Sequence, residues 1–262
     1  DDLVHWTHLG SALTTAPGVV GCWSGSLVLA ERPTMLYTNP AEDDWGHGQV
    51  VLAFGSDDLH QWEHGPIVID GPPDQSFRDF RDPKVRRADD HWIMTIGAGM
   101  RDGSGGCALQ YSSTDLHAWK FDGVLATAPF DPHARINTGD VWECPQFLNV
   151  DGQWVLLVSA MEAGQTYGRQ IYAIGNYDGR RFVPTYWGDF GHGPIPYAAT
   201  TFVDAHGQPE IMAWLRERNE ELTEPSPWTG AQSLVHSLRV VDGRLLAAFH
   251  PNLDNALPAT PL

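Results

Sequence analysis

The feature that most limits what this 262-residue chain can become is a short phrase that it repeats. Asp2-Leu3-Val4-His5-Trp6 returns as Asp58-Leu59-His60-Gln61-Trp62 and again as Asp115-Leu116-His117-Ala118-Trp119. Ser56 and Ser113 stand two residues before the Asp of the later copies, and Asn176–Phe182 reads as a degenerate fourth. Successive tryptophans lie roughly 56 residues apart, a period of the size used by propeller blades. A unit that recurs this way is a supersecondary module which buries its apolar face only by stacking on its neighbours.

Between copies the pattern is that of strands. Trp23–Ala30, Thr34–Thr38 and Gln49–Ser56 are short, apolar or alternating, and bounded by turn residues. The same grammar returns at 84–88, 92–98 and 108–112, and once more at 146–150, 154–159 and 170–175. Asp151-Gly152 and Asp178-Gly179 are hairpin cues, and helical periodicity is nowhere sustained. The chain is therefore expected to be all-β, a five-bladed β-propeller with an incomplete first blade. In this reading SxDLxxW closes each blade, with its Leu and Trp packed between blades, and Asp2–Trp6 is the tail of a blade whose other strands are missing. A β-sandwich with coincidental matches is the competing architecture.

Composition narrows function. The net charge is −17 and the lysines are Lys84 and Lys120 alone, so no basic surface exists to neutralise a phosphate backbone, and no nucleic-acid partner is expected. The field favours neutral over anionic ligands. No apolar run reaches the length of a membrane span, so no membrane partner is expected either. The first residues lack the pattern of a signal peptide, and the sequence gives no address. Three widely spaced cysteines suggest neither a disulfide framework nor a metal site. Twelve histidines include no HExxH spacing, so neither a metal nor a cofactor is expected. His47 and His192 read as surface histidines in Gly-flanked loops, and Gly103–Gly106 as a hairpin loop.

Propellers hold ligands in the central channel, so acidic residues at the start of each blade attract attention. Phe80-Arg81-Asp82-Pro83-Lys84-Val85 carries a charged pair into an apolar strand, which is costly unless the pair is used. Val141-Trp142-Glu143-Cys144-Pro145-Gln146-Phe147 holds a lone Glu between Trp and Cys one blade later. A carboxyl in apolar surroundings is suited to general-acid work, although spacing alone also allows a structural ion pair or a turn carboxylate in both places.

These segments resemble glycoside hydrolase family 32, the invertase, levanase and inulinase family. The resemblance spans nearly the whole chain: DLVHW at 2–6, GCWSGS at 21–26, Tyr37-Thr38, FRDPKV at 80–85, WECPQF at 142–147, Tyr197–Phe202, Ala213–Leu215 and Trp228–Gly230. FRDPKV and WECP, in order and one blade apart, are its most specific part. The resemblance implies a glycosidase that cleaves β-fructofuranosidic bonds of sucrose or fructans by a retaining mechanism. It implies Glu143 as acid/base and Asp82 as transition-state stabiliser. Arg81 would bind the sugar and orient Glu143, Trp23 and Ser24 would line the fructose pocket, and Trp214 would flank it. Asp79, beside Arg78, reads as a loop carboxylate. The family's nucleophile lies in a WMNDPNG-like segment that residues 1–262 do not contain. The expectation is thus one propeller catalytic domain over 1–262, without its nucleophile or the C-terminal β-sandwich, poorly stable and inactive by itself. The alternatives are a non-catalytic fructoside-binding propeller, a fructosyltransferase, and, against the wording of the motifs, a related propeller acting on arabinosides.

Overall fold

Four consecutive antiparallel sheets carry the chain around a common axis, each strand hydrogen-bonded to the next in sequence except in the fourth sheet, whose second strand pairs with both its third and its fourth. Blade 1 is β1 (Gly25–Leu29), β2 (Pro33–Pro40), β3 (Gly48–Gly55) and β4 (Trp62–Ile69). Blade 2 is β5 (Phe77–Ala88), β6 (His91–Met100), β7 (Gly106–Ser113) and β8 (Lys120–Thr127). Blade 3 is β9 (Val141–Val150), β10 (Gln153–Met161), β11 (Arg169–Tyr177) and β12 (Phe182–Asp189). Blade 4 is β13 (Pro196–Val203), β14 (Pro209–Leu215), the two-residue β15 (Ala231–Gln232), β16 (His236–Val241) and β17 (Arg244–Phe249), followed by α1 (Pro251–Ala256). The computed structural model describes residues 2–162, 168–191, 193, 195–216 and 230–256.

The all-β propeller is as expected, but the described residues hold four sheets, not five. Asp2–Trp6 forms no sheet, and residues 7–24 contribute only an isolated bridge between Ala16 and Val19. The turn itself is present: Asp2 Oδ1 accepts the N–H groups of Val4 and His5 at 2.9 Å, and Leu3 has φ 61°. A side-chain-capped turn is local and forms without neighbours, whereas a strand needs a partner edge.

A second correction concerns where the repeat sits. SxDLxxW does not end a blade; it joins the third strand to the fourth, as Ser56–Gln61 joins β3 to β4. Leu59 and Leu116 adopt φ of 62° and 68°, a conformation uncommon for Leu. Hydrogen bonds offset it. Asp115 Oδ1 accepts from His117 and Ala118 at 2.8 Å, Ser113 Oγ accepts from Leu116, and the Trp119 indole donates to the Leu116 carbonyl at 2.8 Å. The fourth strands were illegible because they lie on the propeller's rim; β4, for example, is nowhere buried.

Burial follows the spaces between blades. One core joins blades 1 and 2 through Leu36, Leu52, Phe80 and Met94, with Leu116 and Trp119 packed into it as the sequence suggested. A second joins blades 2 and 3 around Trp142, Phe147 and Phe182, and a third joins blades 3 and 4 around Leu157, Ile174 and Ile211. Each fully buried large side chain contributes about 1.5–3 kcal/mol relative to exposure. A fourth cluster packs Tyr37, Val51 and Ala53 of blade 1 against Leu13 and Val19, not against blade 4. Among the described residues, four blades thus share three inter-blade cores, and the ring is open between blade 4 and blade 1.

Two glycines let the blades approach closely enough to build a site. A Cβ on Gly97 of β6 would stand 2.2 Å from the Trp142 carbonyl, and one on Gly106 of β7 would meet the Trp142 indole at 2.2 Å. The start of β9, which carries Glu143, lies directly over bare backbone.

Candidate active site

The innermost strands β5, β9 and β13 break register at matching places. Pairing shifts around Arg81–Lys84 in β5, opposite Leu157/Ser159 in β9, and between Tyr197 and Thr200 in β13. Each break holds a non-glycine residue with positive φ: Asp82 at 64°, Cys144 at 47° and Ala198 at 48°. Bulges of this kind re-aim side chains. Here the residue before each strained position, Arg81, Glu143 or Tyr197, turns toward one cleft, and the three meet. Arg81 Nε donates to Glu143 Oε1 at 3.0 Å, and the Tyr197 hydroxyl donates to Glu143 Oε2. Pro83 and Pro145, which lack an N–H for a sheet ladder, sit in the first two breaks.

Asp82 is held at the base. Its Oδ2 accepts the Cys144 N–H at 2.8 Å with the thiol at 3.5 Å, and its own N–H donates to Thr38 Oγ1 at 2.8 Å. Thr38 in turn fixes the GCWSGS segment, donating from both its N–H and its hydroxyl to the Ser24 carbonyl and accepting the Trp23 N–H at 2.9 Å. Ser26 clasps β5 by donating to the Pro83 carbonyl and accepting from the Val85 N–H, both at 3.0 Å. Burial, reinforced by the charge of Glu143, raises the Asp82 carboxyl to about 6 against the pull of Arg81. Burial together with the neighbouring carboxylates pushes the Cys144 thiol well up, and burial with the Glu143 charge does the same to Tyr197, which keeps its proton to donate.

The cleft has a volume of about 690 Å³ and is lined by all six residues singled out from the sequence: Trp23, Ser24, Arg81, Asp82, Glu143 and Trp214. Glu143 does not sit in the apolar surroundings expected of it. Its side chain is 19% exposed and bonded on both oxygens, because Arg81 and Tyr197 arrive from the two neighbouring blades. Asp79 is also corrected: it belongs to β5, has φ 55°, lines the cleft, and binds Arg78 at 2.6 Å and Arg81 at 3.2 Å. Arg78 continues the chain of charges to Asp140 at 2.7 Å. Sequence reasoning also missed Tyr197 and Trp45. The first was visible only as part of a matching segment, the second only as an aromatic in a loop. His47 does not line the cleft, and His192 and Trp228 lie outside the described residues.

Away from the cleft, Asp204, Glu210 and His250 come together with the spacing of cation ligands. His250 Nδ1 accepts the Asn252 N–H at 3.2 Å, and Nε2 lies 3.8 and 4.0 Å from the two carboxylates, within ion-pair range but beyond hydrogen-bond length. We read this as a clasp between strand ends.

The match to the N-terminal domain of glycosyl hydrolases family 32 covers residues 1–248. The chain belongs to glycoside hydrolase family 32. A sucrose-6-phosphate hydrolase of Escherichia coli is 29% identical over 94% of this chain and 53% of its own length. Escherichia coli raffinose invertase is 29% identical over 93% and 53%, respectively. The family 32 chain thus spans about half the length of the curated relatives it matches. Among solved structures, the Bombyx mori β-fructofuranosidase mutant in complex with sucrose superposes with a TM-score of 0.79 at 27% identity, covering 97% of this chain and 55% of that one. A fructan 1-exohydrolase from Cichorium intybus in complex with 1-kestose gives 0.80 at 25% identity, covering 97% and 52%.

Proposed function

We propose that this chain is the greater part of the catalytic propeller of a β-fructofuranosidase, hydrolysing sucrose or a fructan with retention at the anomeric carbon. One observation carries the reading: the carboxyl groups of Asp82 and Glu143 reach one cleft from neighbouring blades, with Arg81 and Tyr197 holding Glu143 in place. Glu143 gives its proton to the leaving glycosidic oxygen, then takes one from the water that releases fructose. Asp82 holds fructose hydroxyls, with hydrogen bonds that strengthen as the ring becomes oxocarbenium-like. Arg81 and Tyr197 position Glu143, Trp23 and Ser24 line the fructose pocket, and Trp214 flanks it.

The attacking carboxylate of a retaining enzyme comes from a segment that residues 1–262 do not contain. The open side between blades 4 and 1 is the place for it, and we propose a fifth blade there that brings this group beside Asp82 and Glu143. The length of the relatives and the three inter-blade cores support that reading. The names of the relatives include both phosphorylated and unphosphorylated sugars, so substrate charge is a separate question.

The test is hydrolysis of sucrose, levan and inulin by the intact protein, followed by proton NMR of the first product. Retention gives β-fructofuranose initially; Glu143→Ala abolishes most turnover, and azide restores part of it on an activated fructoside. Full turnover in Glu143→Ala would overturn the assignment. Binding of fructosides without turnover in the intact protein would make it a binding module instead.

A further inference from the structure

Trp45 is 66% exposed, yet its loop is not loose. Asp44 Oδ1 accepts the Gly46 N–H at 3.0 Å, the Phe80 N–H donates to the Gly46 carbonyl at 3.1 Å, and the Ala41 N–H donates to that of His47 at 3.0 Å. His47 bridges to Phe80 and its ring is bonded to the Asp70 carbonyl at 3.0 Å. The indole stands edge-on to Trp23, 5.7 Å between centroids at 82°, and both rings line the cleft of Glu143. Trp23 is the more buried of the two and Trp45 the outer one. A pinned loop that presents a bare indole at a cleft mouth leaves apolar surface in water that the fold does not use. An aromatic face of this kind suits the apolar face of a sugar ring.

The same mouth is negative. Glu42, Asp43 and Asp44 are exposed on the Trp45 loop, and Asp79 lines the cleft below. Among the described residues the guanidinium groups in and beside the cleft are committed: Arg78 lies between Asp79 and Asp140, Arg81 between Asp79 and Glu143, and Arg216, over the Tyr197 ring, donates to the Gly168 carbonyl at 3.0 Å. Lys84 is half-buried and donates to the Thr201 carbonyl. A sugar phosphate needs an uncommitted cation or a nest of N–H groups, and a dianion entering this mouth meets like charge.

We propose that Trp45 is the platform of the leaving-group subsite, and that the acidic mouth around it admits a neutral sugar and rejects a phosphorylated one. The inference rests on the β-fructofuranosidase reading and adds to it the charge class of the substrate and the residue that holds the leaving unit. Outward from Glu143, the leaving sugar stacks on Trp45 while fructose occupies the deeper pocket beside Trp23 and Asp82.

The experiment is titration calorimetry of the intact protein, carrying Glu143→Gln so that sucrose is not turned over, with fructose, sucrose and sucrose 6-phosphate at fixed, low ionic strength. Trp45→Ala, Trp45→Phe and the Glu42→Gln/Asp43→Asn double variant are compared with the parent. Sucrose is expected to bind the parent about tenfold more tightly than its 6-phosphate. Trp45→Ala is expected to weaken sucrose about fivefold and leave fructose within about twofold, with Trp45→Phe in between. The double variant narrows the gap between sucrose and its phosphate, and more salt narrows it further. Equal or tighter binding of the phosphate, or equal weakening of fructose and sucrose by Trp45→Ala, overturns the proposal while leaving the β-fructofuranosidase reading standing. Failure of the parent to bind fructose at all sinks that reading and the subsite with it.

Discussion

At the scale of residues, Asp82 is the most demanding group. It is buried at the base of the cleft, and its N–H donor is that of Cys144, so the folded chain holds its proton more tightly than the unfolded chain does. A raised carboxyl contributes stability that is complete below the unfolded value of 3.8 and lost as pH rises through about 6. Asp82→Asn is therefore expected to stabilise the fold at pH 7 by about 2–3 kcal/mol relative to the parent, and to give no advantage near pH 3.5. Urea denaturation at the two pH values checks this; an equal effect at both refutes the burial argument. Tyr197→Phe tests a different link. It removes one donor from Glu143 and no bulk, so kcat of the intact enzyme should fall about tenfold with KM little changed and the melting temperature preserved.

At the scale of elements, the site depends on how closely β9 lies over β6. An added methyl at Gly97 meets the Trp142 carbonyl, a backbone atom that cannot rotate away. Gly97→Ala is expected to destabilise by about 1–3 kcal/mol and to shift Glu143, lowering fructoside binding more than Ala substitutions on the exposed β4 do. Chemical denaturation and calorimetry together separate the two effects. The inner strands were legible as apolar runs, and Asp82 and Glu143 as charges within them. Their bulges were not, because a bulge is defined by the partner strand: Asp82-Pro83, Cys144-Pro145 and Ala198-Ala199 share no residue pattern beyond small or constrained types, yet take the same backbone turn. The outer strands β4, β8 and β12 were missed for the opposite reason, since rim exposure leaves them little alternation to read.

At the scale of the molecule, the open side sets behaviour. On blade 1, Val28 packs into the core while Leu27 and Leu29 are 44% and 75% exposed. On blade 4 a groove of about 590 Å³ is lined by Met212, Leu234, Leu246 and Phe249. Unpartnered apolar faces and strand edges invite association. The chain is expected to self-associate with rising concentration in sedimentation velocity, and Leu29→Lys/Leu246→Lys to reduce this without lowering the melting temperature. A concentration-independent monomer would mean that the open side is already satisfied.

The residues alone determined the strand grammar, the blade-sized period, the acidic balance and the two charged motifs, because each is written in local side-chain chemistry. The number of closed blades, the turn made by SxDLxxW, the neighbours that grip Glu143 and the reach of Trp45 were decided only by the tertiary structure. They depend on contacts between segments tens of residues apart, such as Arg81 with Glu143 and Trp23 with Trp45, and no local pattern encodes which distant surface will arrive.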